Sequence, residues 1–473
     1  MKKPNIIFIL ADDLGPWALG ASGNEDIITP NIDELAKKGM MFNEFHCVSP
    51  VCSPARASLL TGKIPSQHGV HDWIQDAEEI EDEIEYLEGQ VAYTDVLAAN
   101  GYRCGLSGKW HVGKSHKVQK GFDHFYAHKS GSGPYYDAPF YRNGTFEVAK
   151  GYVTDVITDD AIDFIEESVE RSVPFYLNVG YTAPHSPWVN NHPKSYLDLY
   201  KDCEFNSLPK ELRHENAIYL TDMVAQEPHA NMSGYFAATT AMDYNIGRII
   251  SRLEELGIKE ETLIIFSSDN GFSCGHHGFW GKGNGTYPIN LYNESVKVPF
   301  IVSHEGFVPE GKVSQELVSA LDFFPTILDY AGIRYNLDDS YPGKSFLNLM
   351  KGNDDSFSEY VFDEYGPNRM IKNKDYKYIR RYPYGPDEFY DLFKDPKEMK
   401  NLIKEYEDMS QEIMSSLRYT MESWFINYVN PEIDGAKEAV YGSGQIAKAG
   451  MWSKGKVSQS KPDFTIRDEH LDK

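Results

Sequence analysis

Hydrophobic and polar residues form two alternating patterns along the first 355 positions of the chain. Short continuous apolar runs, typical of buried strands, alternate with segments in which apolar residues recur every three or four positions, as on one face of a helix. Strands that alternate with helices predict a parallel sheet covered on both faces. The predicted strands are 5–11, 103–107, 174–180, 262–267 and 298–302, and the predicted helices are 31–38, 155–170, 235–256 and 320–331.

The pattern changes after about residue 355. Short strand patterns separated by turn residues follow at 360–364, 370–372, 376–380 and 388–391, and a helical pattern covers 409–428. We therefore predict the α/β class, with a large mixed, mainly parallel sheet sandwiched by helices in a domain spanning 1–355. A smaller subdomain with an antiparallel sheet is predicted for 356–473.

Two further segments have distinctive compositions. The acidic segment 78–88 has apolar positions spaced like one face of a helix, which predicts a solvated amphipathic helix. The segment from Tyr441 onwards is rich in Gly, Ser and Lys. For that segment we expect either a mobile end or a loop that folds back over the first domain.

Composition excludes several classes of protein. The chain has 473 residues, of which 41% are apolar and 25% charged, so it is neither disordered nor fibrous. Acidic residues outnumber basic ones by 71 to 46, and the net charge of −25 repels nucleic acid and anionic lipid, so neither is expected as a partner. No apolar run approaches the roughly 18 residues of a membrane span, and no feature indicates an oligomeric state.

The N-terminal residues and the cysteines predict a cytoplasmic protein. Lys2 and Lys3 precede an apolar run at 6–11, but this run is too short for a signal peptide and is followed by Asp12 and Asp13. The five cysteines are odd in number and form no CxxC pair, so neither a disulfide framework nor a zinc site is indicated.

Oxygen-bearing side chains follow two of the predicted strands. Asp12 and Asp13 come directly after the first strand, and Asp269 and Asn270 follow the fourth. Because ligands bind at the carboxyl ends of parallel strands, we expect these side chains to meet at one edge of the sheet. Carboxylate and amide oxygens suit Ca²⁺ or Mg²⁺, and a cation would relieve the repulsion between the neighbouring carboxylates.

Cationic and titratable side chains follow the other two strands at the same predicted edge. Lys109 and His111 come after strand 103–107, and His185 comes after strand 174–180. Asp and Asn commonly cap turns after strands, but polar residues after four strands together indicate a site.

The segment VCSPARASLLTG at 51–62 predicts a helix that begins with a cysteine. Pro54 is favourable in the first turn, so Cys52 lies at the helix N-terminus and Arg56 lies one turn further along the same face. The backbone N–H groups there favour an anion, so an unmodified thiol is expected to have a lowered pKa and to be reactive. The alternative is a buried cysteine that acts as a small hydrophobic residue.

The CxPxR sequence and the Leu-Thr-Gly that follows resemble the signature of type I sulfatases, members of the alkaline phosphatase superfamily. Five more blocks resemble that family in the expected order, together with a late block. They are PNIIFILADDLG, GYRCGLSGKWHVG, YTAPHSPW, SSDNG, WGKGNG and EFYDLFKDPKEMKNL. The resemblance implies the sulfatase fold and a sulfuric ester hydrolase.

The resemblance also implies a cofactor made from the chain itself. In these sulfatases a maturation enzyme oxidises the motif cysteine, here Cys52, to Cα-formylglycine (3-oxoalanine). Its hydrated aldehyde attacks the sulfur of the sulfate ester and expels the alcohol. Carried over, Asp12, Asp13, Asp269 and Asn270, with the formylglycine oxygen, would hold Ca²⁺, with Mg²⁺ as the other candidate.

Five more residues take implied catalytic roles. Arg56 would hold the hydrated aldehyde and balance charge, and Lys109 and Lys282 would grip the sulfate. His111 would accept the proton in the release of sulfate from the enzyme. His185 would protonate the leaving alcohol.

The resemblance is closer to sugar sulfatases than to aryl sulfatases. His71, Trp73, Trp110 and His277 are the candidate contacts to the sugar. The expected substrate is a small imported saccharide that carries a sulfate ester. The expected transient partner is a maturation enzyme, of the radical type, that acts on the unfolded segment around Cys52.

Three other functions stay open. A phosphodiester or phosphonate monoester hydrolase could use the same fold and residues, because its substrates carry a charge similar to that of sulfate monoesters. An unmodified, non-catalytic chain could bind Ca²⁺ and sulfated glycans. A cysteine hydrolase that uses Cys52 with His111 or His185 would leave the metal-type residues and both lysines without a role.

Overall fold

The computed structural model describes residues 3–75, 84–353, 356–404, 411–450 and 457–461. Within these ranges the strands are β1 (Asn5–Ala11), β2 (Met40–Phe42), β3 (Phe45–His46), β4 (Arg103–Gly108), β5 (His124–His128), β6 (Pro139–Arg142), β7 (Thr145–Val148), β8 (Phe175–Gly180), β9 (Thr262–Ser268), β10 (Ser273–Cys274), β11 (Trp280–Gly281), β12 (Phe300–Ser303), β13 (Lys312–Ser314), β14 (Val318–Ser319), β15 (Val361–Tyr365), β16 (Asn368–Lys372), β17 (Tyr376–Arg381) and β18 (Glu388–Asp391). The helices are α1 (Pro30–Lys37), α2 (Cys52–Thr61), α3 (Pro65–His68), α4 (Tyr93–Ala99), α5 (Val153–Glu170), α6 (Lys194–Leu197), α7 (Tyr219–Gln226), α8 (Pro228–Glu255), α9 (Asn293–Val296), α10 (Phe323–Tyr330), α11 (Leu347–Met350) and α12 (Gln411–Tyr428). No helix in these described ranges combines the length and the hydrophobicity needed to span a bilayer.

The largest sheet has ten strands and is parallel at its centre. Its strands lie in the order β13-β2-β12-β9-β1-β8-β4-β5-β6-β7. The central strands from β9 to β5 are parallel, whereas β12 is antiparallel to β9, and β6 is antiparallel to β5. The predicted mixed, mainly parallel sheet is confirmed.

Strand β1 lies at the centre of this sheet, and all seven of its residues are therefore buried. Its side chains alternate between two apolar clusters, one on each face of the sheet. Ile7 and Ile9 belong to the cluster that includes residues of α1, α5 and α8. Ile6 and Phe8 belong to the other cluster, which includes residues of α2, α4 and α10. Helices on both faces explain why the strand is apolar throughout.

The second, smaller sheet contains β15, β16, β17 and β18 and is antiparallel throughout. Helix α12 packs on it: Trp424 stacks on Phe362 with ring centroids 4.2 Å apart, and Met421 and Phe425 are buried. This small antiparallel sheet near the C-terminus confirms the predicted fold class. The division of the chain into domains at residue 355 stays a prediction.

The chain returns to its N-terminal half after α12. We call residues 442–447 the C-terminal strap. The backbone of Gln445 pairs with Ile74 in a parallel bridge, and its N–H donates to the carbonyl of Trp73 at 2.7 Å. Of the two alternatives expected for this segment, the strap follows the second in that it folds back against Trp73 and Ile74.

Several predicted element bounds were wrong for local reasons. The helix expected over 320–331 begins as a 3₁₀ turn, Ala320–Asp322, before α10, because Pro325 has no N–H to donate to a preceding carbonyl. Helix α8 begins at Pro228, seven residues before the predicted start, since proline is favourable in a first turn. Residues 78–83 of the predicted acidic helix lie outside the described residues, and the described residues 86–89 form a turn.

Candidate active site

A cavity of about 380 Å³ lies at the carboxyl ends of the central parallel strands. Residues that follow β1, β4, β8 and β9 all contribute to its lining, as expected for a parallel α/β sheet. The predicted site residues in the lining are Asp13, Cys52, Trp73, His111, His185 and Lys282.

Asp12 and Asp13 are fixed by the backbone that follows β1. The N–H of Asp12 donates to the carbonyl of Ala183 at 3.0 Å, which ties it to the end of β8. Asp13 adopts the left-handed region with φ 66°, unusual for a residue with a side chain. Its carbonyl accepts a hydrogen bond from the Tyr235 hydroxyl at 2.9 Å, and its N–H donates to Asp269 at 3.3 Å. Strained backbone held by its neighbours in this way is typical of functional sites.

Cys52 is the first residue of α2 and is 2% exposed. Its sulfur lies 3.3 Å from Oδ1 of Asp12, and the ammonium of Lys282 donates to it at 2.8 Å. Burial and the negative charge of Asp12 raise the pKa of this thiol well above its ordinary value. The expected lowered pKa is therefore wrong, because burial and Asp12 outweigh Lys109, Lys282 and the helix N-terminus.

Asp269 and Asn270 connect Arg56 to the aspartates after β1. Nε of Arg56 donates to Oδ2 of Asp269 at 2.8 Å, and the N–H of Asn270 donates to Oδ1 of the same carboxylate at 2.8 Å. The side-chain amide of Asn270 donates to Oδ1 of Asp13, also at 2.8 Å. Nη1 of Arg56 donates to the carbonyl of Lys109 at 3.0 Å, so the guanidinium is held from two sides.

The donor set fits a hard divalent cation. One ligand atom from each of Asp12, Asp13, Cys52 and Asp269 lies within 4.8 Å of the others. The side-chain oxygen of Asn270 is buried and has no hydrogen-bond partner, so it is free to become an oxygen ligand. The carboxylate and amide oxygens among these groups suit Ca²⁺ or Mg²⁺, whereas the Cys52 sulfur is a soft ligand that these ions do not favour.

Two buried lysines neutralise the same carboxylates. Nζ of Lys109 lies 2.5 Å from Oδ2 of Asp12, and Nζ of Lys282 lies 2.5 Å from Oδ1 of Asp13. Burial acts to lower the pKa of Lys282, but the neighbouring carboxylates outweigh it, and the pKa lies well above its ordinary value. Lys282 therefore carries its charge at neutral pH.

His111 is held as a neutral imidazole at the cavity wall. Its Nε2 lies 3.0 Å from the carbonyl of Ile74 and must be the donor in that bond, while Nδ1 is buried without a partner. Burial, reinforced by Lys109 and Arg56, holds its pKa well below the ordinary value. Gly131 packs on the ring so closely that a Cβ there would lie 2.1 Å from it.

His185 is the more accessible of the two histidines. Its side chain is 21% exposed, and Nε2 lies 3.6 Å from Oδ2 of Asp13. Nδ1 donates to the carbonyl of Ser186 at 2.8 Å, which orients the ring. Nε2 therefore faces the aspartate from the cavity side.

Of the four predicted sugar contacts, Trp73 alone lines the cavity. Its Nε1 donates to the carbonyl of Gly442 in the strap at 3.0 Å. The prediction for His71 was wrong. That residue is fully buried beneath the strap, and its Nε2 bonds to the carbonyl of Ile433 at 2.8 Å.

Trp110 and His277 were also wrongly predicted as sugar contacts. Trp110 packs edge-on against Phe125 in the apolar core. His277 is paired with Glu294 at 3.0 Å and stacked on Tyr292, with ring centroids 3.8 Å apart. Both side chains make their contacts inside the protein, and the residue type alone does not predict that.

Two models of known protein families match the sequence of this chain. A family model described as "Sulfatase" matches residues 4–333, and a second, described as "N-sulphoglucosamine sulphohydrolase, C-terminal", matches residues 275–425. The chain belongs to the sulfatase family. It is a sulfuric ester hydrolase.

Individual relatives align with most of the length of this sulfatase. The N-acetylglucosamine-6-O-sulfatase of Bacteroides thetaiotaomicron is 27% identical, covering 89% of this chain and 87% of its own length. A solved structure of a protein in complex with its substrate D-glucosamine-2-N,6-O-disulfate superposes with a TM-score of 0.79 and 26% identity, covering 92% of this chain and 100% of its own. The phosphonate monoester hydrolase of Agrobacterium radiobacter, at 22% identity, shares the fold, with a TM-score of 0.67 and coverage of 89% and 95%.

The sulfatase cavity contains further residues that the motifs did not single out. Tyr219, at the start of α7, is 45% exposed, and no motif marks it. Asn284 also lines the cavity and lies two residues after Lys282. The WGKGNG block contains both Lys282 and Asn284, so this motif could have indicated Asn284.

Proposed function

We propose that this sulfatase removes sulfate from a sulfated sugar, with Cys52 as the precursor of its formylglycine. The observation that carries the proposal is the position of the Cys52 sulfur, 3.3 Å from Asp12 and 2.8 Å from Lys282 in the lining of the cavity. A reactive group at this position lies within reach of both a carboxylate and a buried ammonium group. That arrangement suits attack on an anionic ester.

Asp12, Asp13, Asp269 and Asn270 would hold Ca²⁺ or Mg²⁺. Once formed, the formylglycine would supply a hydrated aldehyde as nucleophile. The cation, when bound, would supply positive charge beside the sulfate oxygens. The lysines Lys109 and Lys282 now neutralise the carboxylates. They would be released to the sulfate as a divalent ion takes over that charge.

The cationic side chains bind the sulfate group. Lys109 and Lys282 lie on either side of the aspartates that flank Cys52, and both are buried. Ammonium groups in a site with little water stabilise the charge that develops on the sulfate oxygens far more than they would in water. Arg56, held by Asp269, keeps its guanidinium beside the first turn of α2.

The two histidines divide the proton transfers. His185 Nε2, which is accessible from the cavity, donates a proton to the leaving alcohol oxygen. His111 is neutral because its pKa lies well below the ordinary value. It therefore can accept the proton that must be removed for sulfate to leave the enzyme, and its unpartnered Nδ1 is the atom available for this.

The assignment to sugars is supported by the relatives and by the cavity. Two of the proteins named above, the N-acetylglucosamine-6-O-sulfatase and the structure bound to D-glucosamine-2-N,6-O-disulfate, act on or bind sulfated amino sugars. The cavity is large enough for a ligand of that class and combines apolar and polar lining residues, as small-molecule sites do. A maturation enzyme of the radical type and a cytoplasmic location stay predictions.

The test is a parallel assay on protein purified from its native host. Sulfate release is measured from N-acetylglucosamine 6-sulfate, N-acetylgalactosamine 6-sulfate and nitrophenyl sulfate, and hydrolysis is measured on a phosphonate monoester. Mass spectrometry of the peptide that contains Cys52 shows whether the thiol has become an aldehyde. We expect a sugar sulfate to be the best substrate and the aldehyde to be present.

Three results would overturn parts of this proposal. Dominant phosphonate turnover would favour the phosphonate monoester hydrolase. If active protein contained only unmodified Cys52, formylglycine would be excluded from the mechanism. Binding of a sulfated sugar without release of sulfate, together with intact cysteine, would favour the non-catalytic alternative.

A further inference from the structure

The C-terminal strap forms part of the wall of the cavity. Gly442 lines the cavity together with Trp73 and Asn284. The carbonyl of Gly442 accepts two hydrogen bonds, from Nε1 of Trp73 at 3.0 Å and from Nδ2 of Asn284 at 3.1 Å. A single backbone group therefore holds two side chains of the cavity, one aromatic and one amide.

The strap is anchored through a fully buried amide, that of Gln445. Its Oε1 accepts the N–H of His71 at 2.8 Å, and its Nε2 donates to the carbonyl of Gly69 at 2.9 Å. The N–H of Gly444 donates to the carboxylate of Asp72 at 3.0 Å. Buried polar groups that are satisfied in this way fix one conformation, so the strap is a built part of the wall.

Two glycines allow the strap to lie this close to the cavity. Gly442 and Gly444 both have positive φ angles, 77° and 104°. A Cβ on Gly442 would lie 2.7 Å from the Cβ of Asn284. A Cβ on Gly444 would lie 2.6 Å from Cγ of Gln75 and 3.0 Å from Cε2 of Trp73. A side chain at Gly442 would therefore press on Asn284, and one at Gly444 would press on Gln75 and Trp73.

The groups that the strap holds suit a sugar ring. With its N–H bound to Gly442, the rest of the Trp73 indole is carbon, and an aromatic ring of this kind buries apolar surface. Tyr219, half-exposed, supplies a second aromatic ring to the same lining. Sugar sites need apolar rings together with a few placed polar groups, and Asn284 supplies one of these.

We propose that the C-terminal strap is a positioning element for the sugar: it holds Trp73 and Asn284 against the sugar ring while the sulfate lies at Cys52. The proposal rests on the proposed function, since it assigns the sugar part of the same substrate. Gly442 and Gly444 act through these two side chains and touch no reacting atom. Their effect is therefore on the binding of the sugar, and the chemistry at sulfur depends on other residues.

The test compares Gly444→Ala with Gly151→Ala. Gly151 has the same φ of 104° and is exposed, and a Cβ on this residue would have no atom within 4 Å. It therefore controls for the backbone strain of alanine alone. KM and kcat are measured for N-acetylglucosamine 6-sulfate and for nitrophenyl sulfate, which has no sugar, and thermal unfolding is followed for both variants.

In Gly444→Ala we expect KM for the sugar ester to rise about tenfold more than KM for nitrophenyl sulfate, which corresponds to the loss of about one good contact. Gly151→Ala should leave the ratio of the two KM values unchanged. If Gly444→Ala does not fold, Trp73→Phe decides, because it keeps an aromatic ring but removes the N–H bound to Gly442. It should raise the same ratio.

The two proposals fail in different ways. Equal changes in both KM values in Gly444→Ala and in Trp73→Phe, or no change in either variant, would overturn the role of the strap while leaving the proposed function intact. A wild-type enzyme that releases sulfate from nitrophenyl sulfate but from no sugar ester would overturn both.

Discussion

The ammonium group of Lys282 lies 2.8 Å from the sulfur of Cys52 and 2.5 Å from a carboxylate oxygen of Asp13. It is thus a buried positive charge placed between the proposed nucleophile and the proposed cation site. We expect Lys282→Ala to lower kcat for sulfate release about 10²- to 10³-fold, the loss typical of one missing charge-stabilising donor. The unfolding temperature, measured in the presence of Ca²⁺, should change far less. The exposed Lys150→Ala serves as control, and a wild-type kcat in Lys282→Ala would contradict the role.

Replacing the cysteine tests the nucleophile. Cys52→Ala should abolish turnover while the protein stays folded, because the substitution removes the modifiable group and little volume. Circular dichroism and thermal unfolding check the fold. Cys203, which is partly exposed and outside the cavity lining, provides the matched variant Cys203→Ala, which should keep its activity. Residual turnover in Cys52→Ala would remove Cys52 from the mechanism.

Binding of the cation should be visible without any assay of activity. A ligand that binds only the folded state at 100 times its Kd adds about 2.7 kcal/mol to the free energy of unfolding. We expect Ca²⁺ to raise the unfolding temperature of the wild type, and chelation to reverse this rise and reduce the activity. Asp269→Asn should lose most of the calcium response, since it removes one carboxylate from the donor set. An equal response in wild type and variant would place the ion elsewhere.

The role of His185 predicts a dependence on the leaving group. Nitrophenolate leaves readily without a proton, whereas a sugar alkoxide needs one. His185→Ala should therefore lower kcat by about 10²- to 10⁴-fold for a sugar sulfate and by much less for nitrophenyl sulfate. Equal losses on the two esters would show that His185 does not protonate the leaving group. Because the strap is expected to change KM, the two effects can be told apart.

The carboxyl group beneath the strap should make stability depend on pH. Burial raises the pKa of Asp72 to about 6. Because the folded state then binds more protons than the unfolded state, the stabilising contribution is complete below about pH 4 and is lost as the pH rises to about 6. Relative to Asp72→Asn, the free energy of unfolding of the wild type should fall by about 1.4 kcal/mol between pH 5 and pH 7. Urea unfolding at both pH values measures this, and a constant difference would contradict it.

The centre of the fold could be predicted from the sequence because its signals are local. Strand β1 is a continuous apolar run that ends at Asp12, and its bounds were predicted correctly. The edge strand β13 and its neighbour β2 have three residues each and no distinct pattern, since partners far along the chain stabilise them. Their place in the sheet depends on long-range pairing, which periodicity does not encode.

The grouping of Asp13, Cys52 and Lys282 could also be predicted, but the outer wall of the cavity could not. Asp13, Cys52 and Lys282 belong to motifs whose residue types reveal their chemistry. Trp110 has the right residue type but lies in the core, because burial depends on the surrounding fold. Gly442 contributes to the wall through its backbone carbonyl. Every residue has such a group, so the sequence does not indicate this role.

The strap also has a consequence for the order of events during synthesis. Trp73 and Gly442, which meet at the cavity, are 369 residues apart in the chain. At translation rates of about 5–20 residues per second, the ribosome needs roughly 20–70 s to pass from the first to the second. The wall cannot close before this interval has elapsed. Under the proposed conversion of Cys52, which is 2% exposed in the folded protein, this interval is a period in which a maturation enzyme would reach the thiol on the nascent chain.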